Sequence, residues 1–411
     1  MRDQPMSSGV QWRLSVMMFL EYVIWGTWLP LLALYLAQFL HFSGTDIGWI
    51  FATQAIASVS AIFVSGQIAD RYFSPERFLA LSHLIGGLAM LALFFQRSFW
   101  PFFLTMLVYM LVYVPTLSLT NAICFHHLKD AQKDFGRVRL WGTIGWIAAS
   151  WPFVFILKDK QGASLETALA SIFVVAGLAS LALAAFALWL PPTSPARDVA
   201  RKNAPLEALK LLAVPSVLAL FVVTFMDALV HQCYFQWTSP FLAAIGVPEN
   251  WIMPAMSLGQ ISEIATMAGL GFFLKRLGWR WTMVFGILGH VVRFLVYSLG
   301  GPVWLVVGSN LVHGFCYAFF FASVYIFVDE YFPKDARASA QGLFNFLILG
   351  LGPFVGSLLW GRLGDSYTTA GTVDFSRLFL APALLGLAAA LVLFLGFHPK
   401  GQVPPEAAKA A

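Results

Sequence analysis

The chain has 411 residues, 59% of them hydrophobic and only 11% charged, where a soluble domain carries about 25% charged residues. Composition therefore defines an integral membrane protein, and the net charge of +5 lies in short loops, which excludes a nucleic-acid footprint. Three widely separated cysteines, Cys124, Cys233 and Cys316, exclude a disulfide framework and a zinc site.

Crossing a hydrocarbon core of about 30 Å takes roughly 20 apolar residues per helix. Runs of that length predict twelve spans, at 12–38, 46–69, 78–96, 99–127, 138–157, 165–190, 209–243, 252–274, 280–300, 303–329, 338–361 and 376–397. The eleven residues before the first span are polar and carry no cleaved signal. A stretch rich in Pro and charge at 191–208 predicts a cytoplasmic linker between two six-helix halves, 1–190 and 209–411. Nineteen Lys and Arg fall on the side of that linker and both termini, against five (Arg97, Lys158, Lys160, Arg362 and Arg377) on the other. The excess places both termini in the cytoplasm. The halves echo each other, GQIADR at 66–71 against GFFLKR at 271–276, which is the signature of a repeat-built transporter.

Three of the twenty carboxylates lie inside apolar runs: Glu21, Asp227 and Glu263. A carboxylate at membrane depth costs about 2.5–3.5 kcal/mol on insertion scales, so each is expected to face a cavity or a partner. Glu21, in the first span, is either a proton or substrate ligand, pairing with Arg139 of the fifth, or a carboxylate capped by a Tyr or Trp. His83 in the third span reads as a packing residue. In the seventh span Asp227 and His231 stand four apart and can pair, as a protonatable unit or as a neutral packing contact, with Gln232 beside them. Gln260 and Glu263, three apart in the eighth, share a helix face and together suit vicinal hydroxyls or the edge of a base. His313 and Tyr317 in the tenth span either line the cavity or pack. In the loops, Asp70, Arg71, Asp329 and Arg337 suit salt bridges that form in one conformation and break in the other.

Twelve spans with GQIADRYFSPER (66–77) after the second resemble the major facilitator superfamily. Further segments resemble the bacterial nucleoside:proton symporter family: EYVIWGTWLPLLALYL (21–36), YVPTLSLTNAI (113–123), RLWGTIGW (139–146), QISE (260–263) and ARASAQGLF (336–344). The resemblance implies an all-α membrane protein of twelve transmembrane helices in two pseudo-symmetric halves, the major facilitator fold. It implies a proton-coupled symporter of the inner membrane that imports nucleosides by alternating access as a monomer in the lipid bilayer, with no cofactor and no enzymatic step. Carried over residue by residue, it assigns Arg139 and Thr143 to coupling and substrate contact, and Gln232, Gln260 and Glu263 to the substrate. Asp70 and Arg71 match its cytoplasmic latch. It also implies that His290 and Arg293 of the ninth span are structural. The chain departs from the family at Trp146, at Phe235 and at Ala318, and carries Glu21 and Asp227 in addition. These departures leave another polar, sugar-like metabolite, with different coupling or direction, as the alternative substrate.

Overall fold

A computed structural model describes residues 8–64, 74–128, 131–193, 211–332 and 337–399. The expected latch pair Asp70 and Arg71 lies outside the described residues, as does most of the 191–208 linker. Among the described residues the chain forms α1 (Ser8–Gln38), α2 (Gly44–Val64), α3 (Pro75–Leu93), α4 (Phe99–His127), α5 (Ala131–Ile156), α6 (Gly162–Ala187) and α7 (Pro215–Ala244). A continuous 51-residue helical run, Glu249–Leu299, follows and merges the expected eighth and ninth spans. Gly278 breaks it at φ +72°, a conformation that suits a residue without Cβ, so the run divides into α8 (249–277) and α9 (279–299). Then come α10 (Val303–Tyr331), α11 (337–366) and α12 (Phe375–Gly396). Each of α10 and α11 contains a π turn, at Tyr317–Ala322 and Phe346–Leu351. One addition to the helices is a two-stranded antiparallel ribbon between α11 and α12, Thr368–Thr369 against Thr372–Val373.

Nine of the helical runs among the described residues are long and apolar enough to cross a membrane. Their outward faces are apolar too: Leu88, Phe95, Phe155, Leu299 and Leu395 are all more than half exposed. Exposed tryptophans cluster near helix ends, among them Trp12, Trp100, Trp251, Trp281 and Trp304, where an amphipathic ring meets the headgroup layer.

The described chain folds as two compact units. One comprises 1–42, 56–198 and 248–257; the other comprises 43–55, 199–247 and 258–411. In lipid, helices associate by close packing rather than by a hydrophobic effect between them, so small residues mark the contacts. In the first unit a methyl on Gly145 of α5 would strike the Phe19 carbonyl of α1, and one on Gly26 of α1 would lie 2.8 Å from the Trp146 carbonyl. The glycines of the RLWGTIGW segment therefore seat α5 against α1. Gly87 of α3 and Gly177 of α6 meet in the same way, each 3.0 Å from the other's carbonyl if given a Cβ. Asn250, at the start of α8, donates to the Val154 carbonyl of α5 at 3.2 Å.

In the second unit Gly352, Gly356 and Gly364 of α11 ride on α7 at Ala228, Gln232 and Trp237. The contact is locked by Trp360 Nε1 donating to the Leu229 carbonyl at 2.7 Å and Trp237 Nε1 donating to the Trp360 carbonyl at 3.1 Å. The start of α2 packs on α11, where Gly361 of α11 and Gly44 and Gly48 of α2 bring the backbones together.

Helix α2 begins with its first four N–H groups all satisfied. Ser43 and Asp46 form a reciprocal capping box, at 3.1 Å and 3.0 Å. The Asp365 carboxylate from the end of α11 takes the N–H groups of Gly44 and Thr45 at 2.6 Å and 2.8 Å, along with the Thr45 hydroxyl. A negative charge at a helix N-terminus also opposes the helix dipole. Asp365→Ala is expected to destabilise the purified protein by about 2 kcal/mol, read as a lower thermal unfolding midpoint. Thr45→Val, which removes only the hydroxyl, should lower it by less.

Candidate functional site

Each unit buries one polar network among apolar helices. In the first unit Glu21 of α1 and His83 of α3 are both fully buried, with Glu21 Oε2 2.9 Å from His83 Nε2. The other carboxylate oxygen, Oε1, lies 2.7 Å from the Thr116 hydroxyl of α4, which also lies 2.5 Å from the Tyr113 carbonyl. On its far side His83 Nδ1 meets the Ser180 hydroxyl of α6 at 3.0 Å, and that hydroxyl also donates to the His83 carbonyl at 2.9 Å. Tyr113 donates its phenol to the Glu21 carbonyl at 2.8 Å. Four helices thus converge on one carboxyl–imidazole pair.

Glu21 pairs with His83, while the Arg139 guanidinium stacks 4.1 Å above the neighbouring Tyr22 ring. His83, read as a packing residue, is the imidazole of the buried pair. Around the pair runs an aromatic wall: Trp25 meets Trp146 edge-on at 5.5 Å and Tyr113 at 6.4 Å, and Trp28 donates to the Tyr109 phenol at 3.2 Å. Trp146 and Thr143 are half-buried on α5.

The second unit is organised by Arg293 of α9, which is fully buried. Its guanidinium reaches His313 Nδ1 of α10 at 2.7 Å and His290 Nδ1 of α9 at 3.0 Å, and stacks on Tyr234 at 4.3 Å and Phe294 at 4.9 Å. A guanidinium only donates, so both Nδ1 atoms are acceptors and both imidazoles carry their proton on Nε2. His290 Nε2–H then points toward Asp227, with 3.6 Å to Oδ2. Asp227 is fully buried on α7, and neither of its oxygens has a hydrogen-bond partner among the described residues.

The expected Asp227–His231 pair is not formed. The His231 ring stacks on His313, centroids 4.9 Å apart, and leaves its Nδ1 buried and unpartnered. The carboxylate lies nearest His290, and the aromatic rings take the His231 imidazole. His290 and Arg293, read as structural, are at the centre of this buried cluster. Among the described residues no cluster of His, Cys, Asp or Glu is arranged to hold a metal ion.

The expected substrate residues of this unit lie close to that cluster. Phe235 meets His231 edge-on at 5.3 Å and His313 at 5.7 Å, and Tyr317, at the first position of the α10 π turn, lies 6.4 Å from His231. Gly314 of α10 leaves no room for a side chain against Gly259 and the Glu263 backbone, so α8 lies directly on α10. Gln260 and Glu263 are half-buried there, and Gln260 Oε1 is a buried acceptor with no hydrogen-bond partner among the described residues. Gln232 is half-buried where α11 crosses α7 at Gly356. Arg337 makes only local contacts among the described residues, donating to the Phe332 carbonyl at 3.0 Å and facing Asp329 at 3.4 Å.

These features define a multi-pass membrane transporter of the major facilitator type: membrane-length helices, close small-residue packing and buried ionisable networks in both units. The profile of the nucleoside H+ symporter family matches residues 8–402, and the chain belongs to that family. It is 34% identical to the putative nucleoside transporter YegT of Escherichia coli K12, over 85% of this chain and 83% of that one. It is 30% identical to the xanthosine permease of the same organism, over 95% and 96%. The solved structure of the nucleoside transporter NupG superimposes with a TM-score of 0.85 at 27% identity, covering 95% of this chain and all of that one. The chain is therefore a proton-coupled nucleoside transporter and not an enzyme.

Removing Arg293 leaves the Nδ1 acceptors of His290 and His313 buried without their donor. Arg293→Met is expected to cost about 2 kcal/mol of stability, since a buried acceptor left unpaired costs about 1–3 kcal/mol. Thermal unfolding of the two proteins in detergent decides it; an Arg293→Met variant as stable as the wild type would show that these contacts do not hold α9 to α10.

Proposed function

We propose that this proton-coupled symporter holds its nucleoside chiefly through the α8 pair Gln260 and Glu263. Gln232, Phe235, His313 and Tyr317 of the second unit complete the contacts there. The observation that carries this reading is the orphaned Oε1 of Gln260, one helical turn from a carboxylate on the same face. A buried acceptor without a donor costs about 1–3 kcal/mol, and a sugar hydroxyl or base N–H supplies the missing donor. Ribose and base edges offer donors and acceptors together, which an amide and a carboxylate side by side satisfy. Aromatic faces at Phe235 and Tyr317 suit the flat base.

Proton movement is carried by the buried acids and their partners, drawn from Glu263, Asp227, His231, Glu21 and Arg139. Loading a proton lowers the charge of the site, so the loaded protein rearranges with less buried charge. The working unit is a monomer in the bacterial inner membrane with both termini cytoplasmic, in keeping with the excess of Lys and Arg on one side. The two six-helix halves joined at 191–208 alternate access.

Reconstituted into liposomes with the interior more alkaline, the protein is expected to accumulate labelled uridine, adenosine or xanthosine. Glu263→Gln should abolish accumulation, and Gln260→Ala should raise KM about tenfold, the loss of one hydrogen bond to a polar site. Accumulation of xylose or maltose with no nucleoside uptake would overturn the substrate and favour the sugar-like alternative.

A further inference from the structure

The hydrogen count around Glu21 and His83 is constrained by the distances. Ser180 has one hydroxyl hydrogen and two acceptor-distance neighbours, the His83 carbonyl at 2.9 Å and His83 Nδ1 at 3.0 Å. When it donates to the carbonyl, Nδ1 must carry the imidazole hydrogen and donate back. Nε2 then faces Glu21 Oε2 across 2.9 Å, a gap that needs a proton of its own. Thr116 supplies its hydrogen to Glu21 Oε1 at 2.7 Å, so that oxygen needs no proton of its own. With Ser180 turned to the backbone carbonyl, the pair holds one proton more than a carboxylate beside a neutral imidazole.

We propose that Glu21 and His83 form a proton-binding site of the transport cycle, with the Ser180 hydroxyl as a rotor that follows its occupancy. The proposal rests on the proton-coupled reading above and assigns a site to it. In the loaded form the pair is neutral overall: the proton is shared between Oε2 and Nε2, Nδ1–H donates to Ser180, Ser180 donates to the His83 carbonyl and Thr116 donates to Oε1. On release one proton leaves. The remaining imidazole hydrogen moves to Nε2 and bonds the carboxylate, and Ser180 turns from the carbonyl to donate to Nδ1. Both ring nitrogens and both carboxyl oxygens keep a hydrogen-bond partner in either form, but the released form carries one negative charge.

The surroundings determine what that charge costs. From α3 the pair meets His83 itself; from α4, Thr116 and the phenols of Tyr109 and Tyr113, which stack on each other at 5.2 Å; from α6, Ser180. From α5 comes Arg139, held off by the Tyr22 ring it covers at 4.1 Å. All of the groups touching the pair are neutral. The proton is therefore retained while the helices keep this packing, and leaves when α1 and α5 shift enough to bring Arg139 past Tyr22 or admit water. Such a conformation-dependent hold on a proton is what coupling requires.

The test uses the full chain reconstituted in liposomes, with uridine as the probe. Glu21→Gln and His83→Gln should each lower the ratio of gradient-driven accumulation to exchange about tenfold, and the double variant should lower it no further, since both remove one site. Ser180→Ala, which removes the hydroxyl partner of Nδ1, should move the midpoint of the pH profile of accumulation. Independently of any substrate, infrared difference spectra between acid and alkaline samples should show a protonated-carboxyl stretch that Glu21→Gln removes. Wild-type accumulation ratios in both single variants, or an infrared band unchanged in Glu21→Gln, would overturn the proposal. A wild type that moves no uridine, yet loses that band in Glu21→Gln, would sink the nucleoside reading and uphold the proton site.

Discussion

A charge placed among apolar helices must be neutralised by groups in direct contact with it, because there is no water to do so. Both units are organised by that constraint, with different solutions. In the first, the acid is matched with an imidazole of adjustable protonation and with a hydroxyl that can turn. In the second, two imidazoles accept from the permanent cation of Arg293, and aromatic faces cover it.

The small-residue contacts serve the same constraint. Four helices can converge on Glu21 only if their backbones approach closely, and Gly26, Gly87, Gly145 and Gly177 allow that in the first unit. In the second, Gly314 seats α8 on α10 and Gly289 brings Cys316 of α10 against α9, which places His313 within reach of Arg293. The polar network and the glycine pattern are two aspects of one packing solution.

Much of this was legible in the sequence. Composition and run length gave the helices, and the RLWGTIGW, QISE and RASAQG segments gave the family. Glu21, Asp227 and Glu263 stood out because a carboxylate is conspicuous in an apolar run. Their partners did not. His83 and Ser180 lie 62 and 159 residues from Glu21 along the chain, and no local spacing joins them. Asp227 and His231 had the ideal helical spacing and still did not pair: the His231 ring stacks on His313, and the Asp227 carboxylate lies nearest His290, both on other helices. Arg293 was itself visible as the one cation within a span, but its position was read from the general fold and not from this chain's own charges. Spacing predicts what a helix can offer; the partner is decided between helices.

The π turn at Tyr317–Ala322 has a consequence for how α10 is divided. One residue is taken up there beyond the normal helical count, and since each residue turns an α-helix by about 100°, everything after it is rotated by that amount. The stretch before the turn aims His313 at Arg293. The stretch after it delivers Val324, Phe327 and Val328 to a dry apolar core. A single helix thereby serves two environments that one unbroken stripe of residues could not face. Losing one residue at that point would leave α10 equally apolar and equally long, but would turn its second half away from the core it now fills.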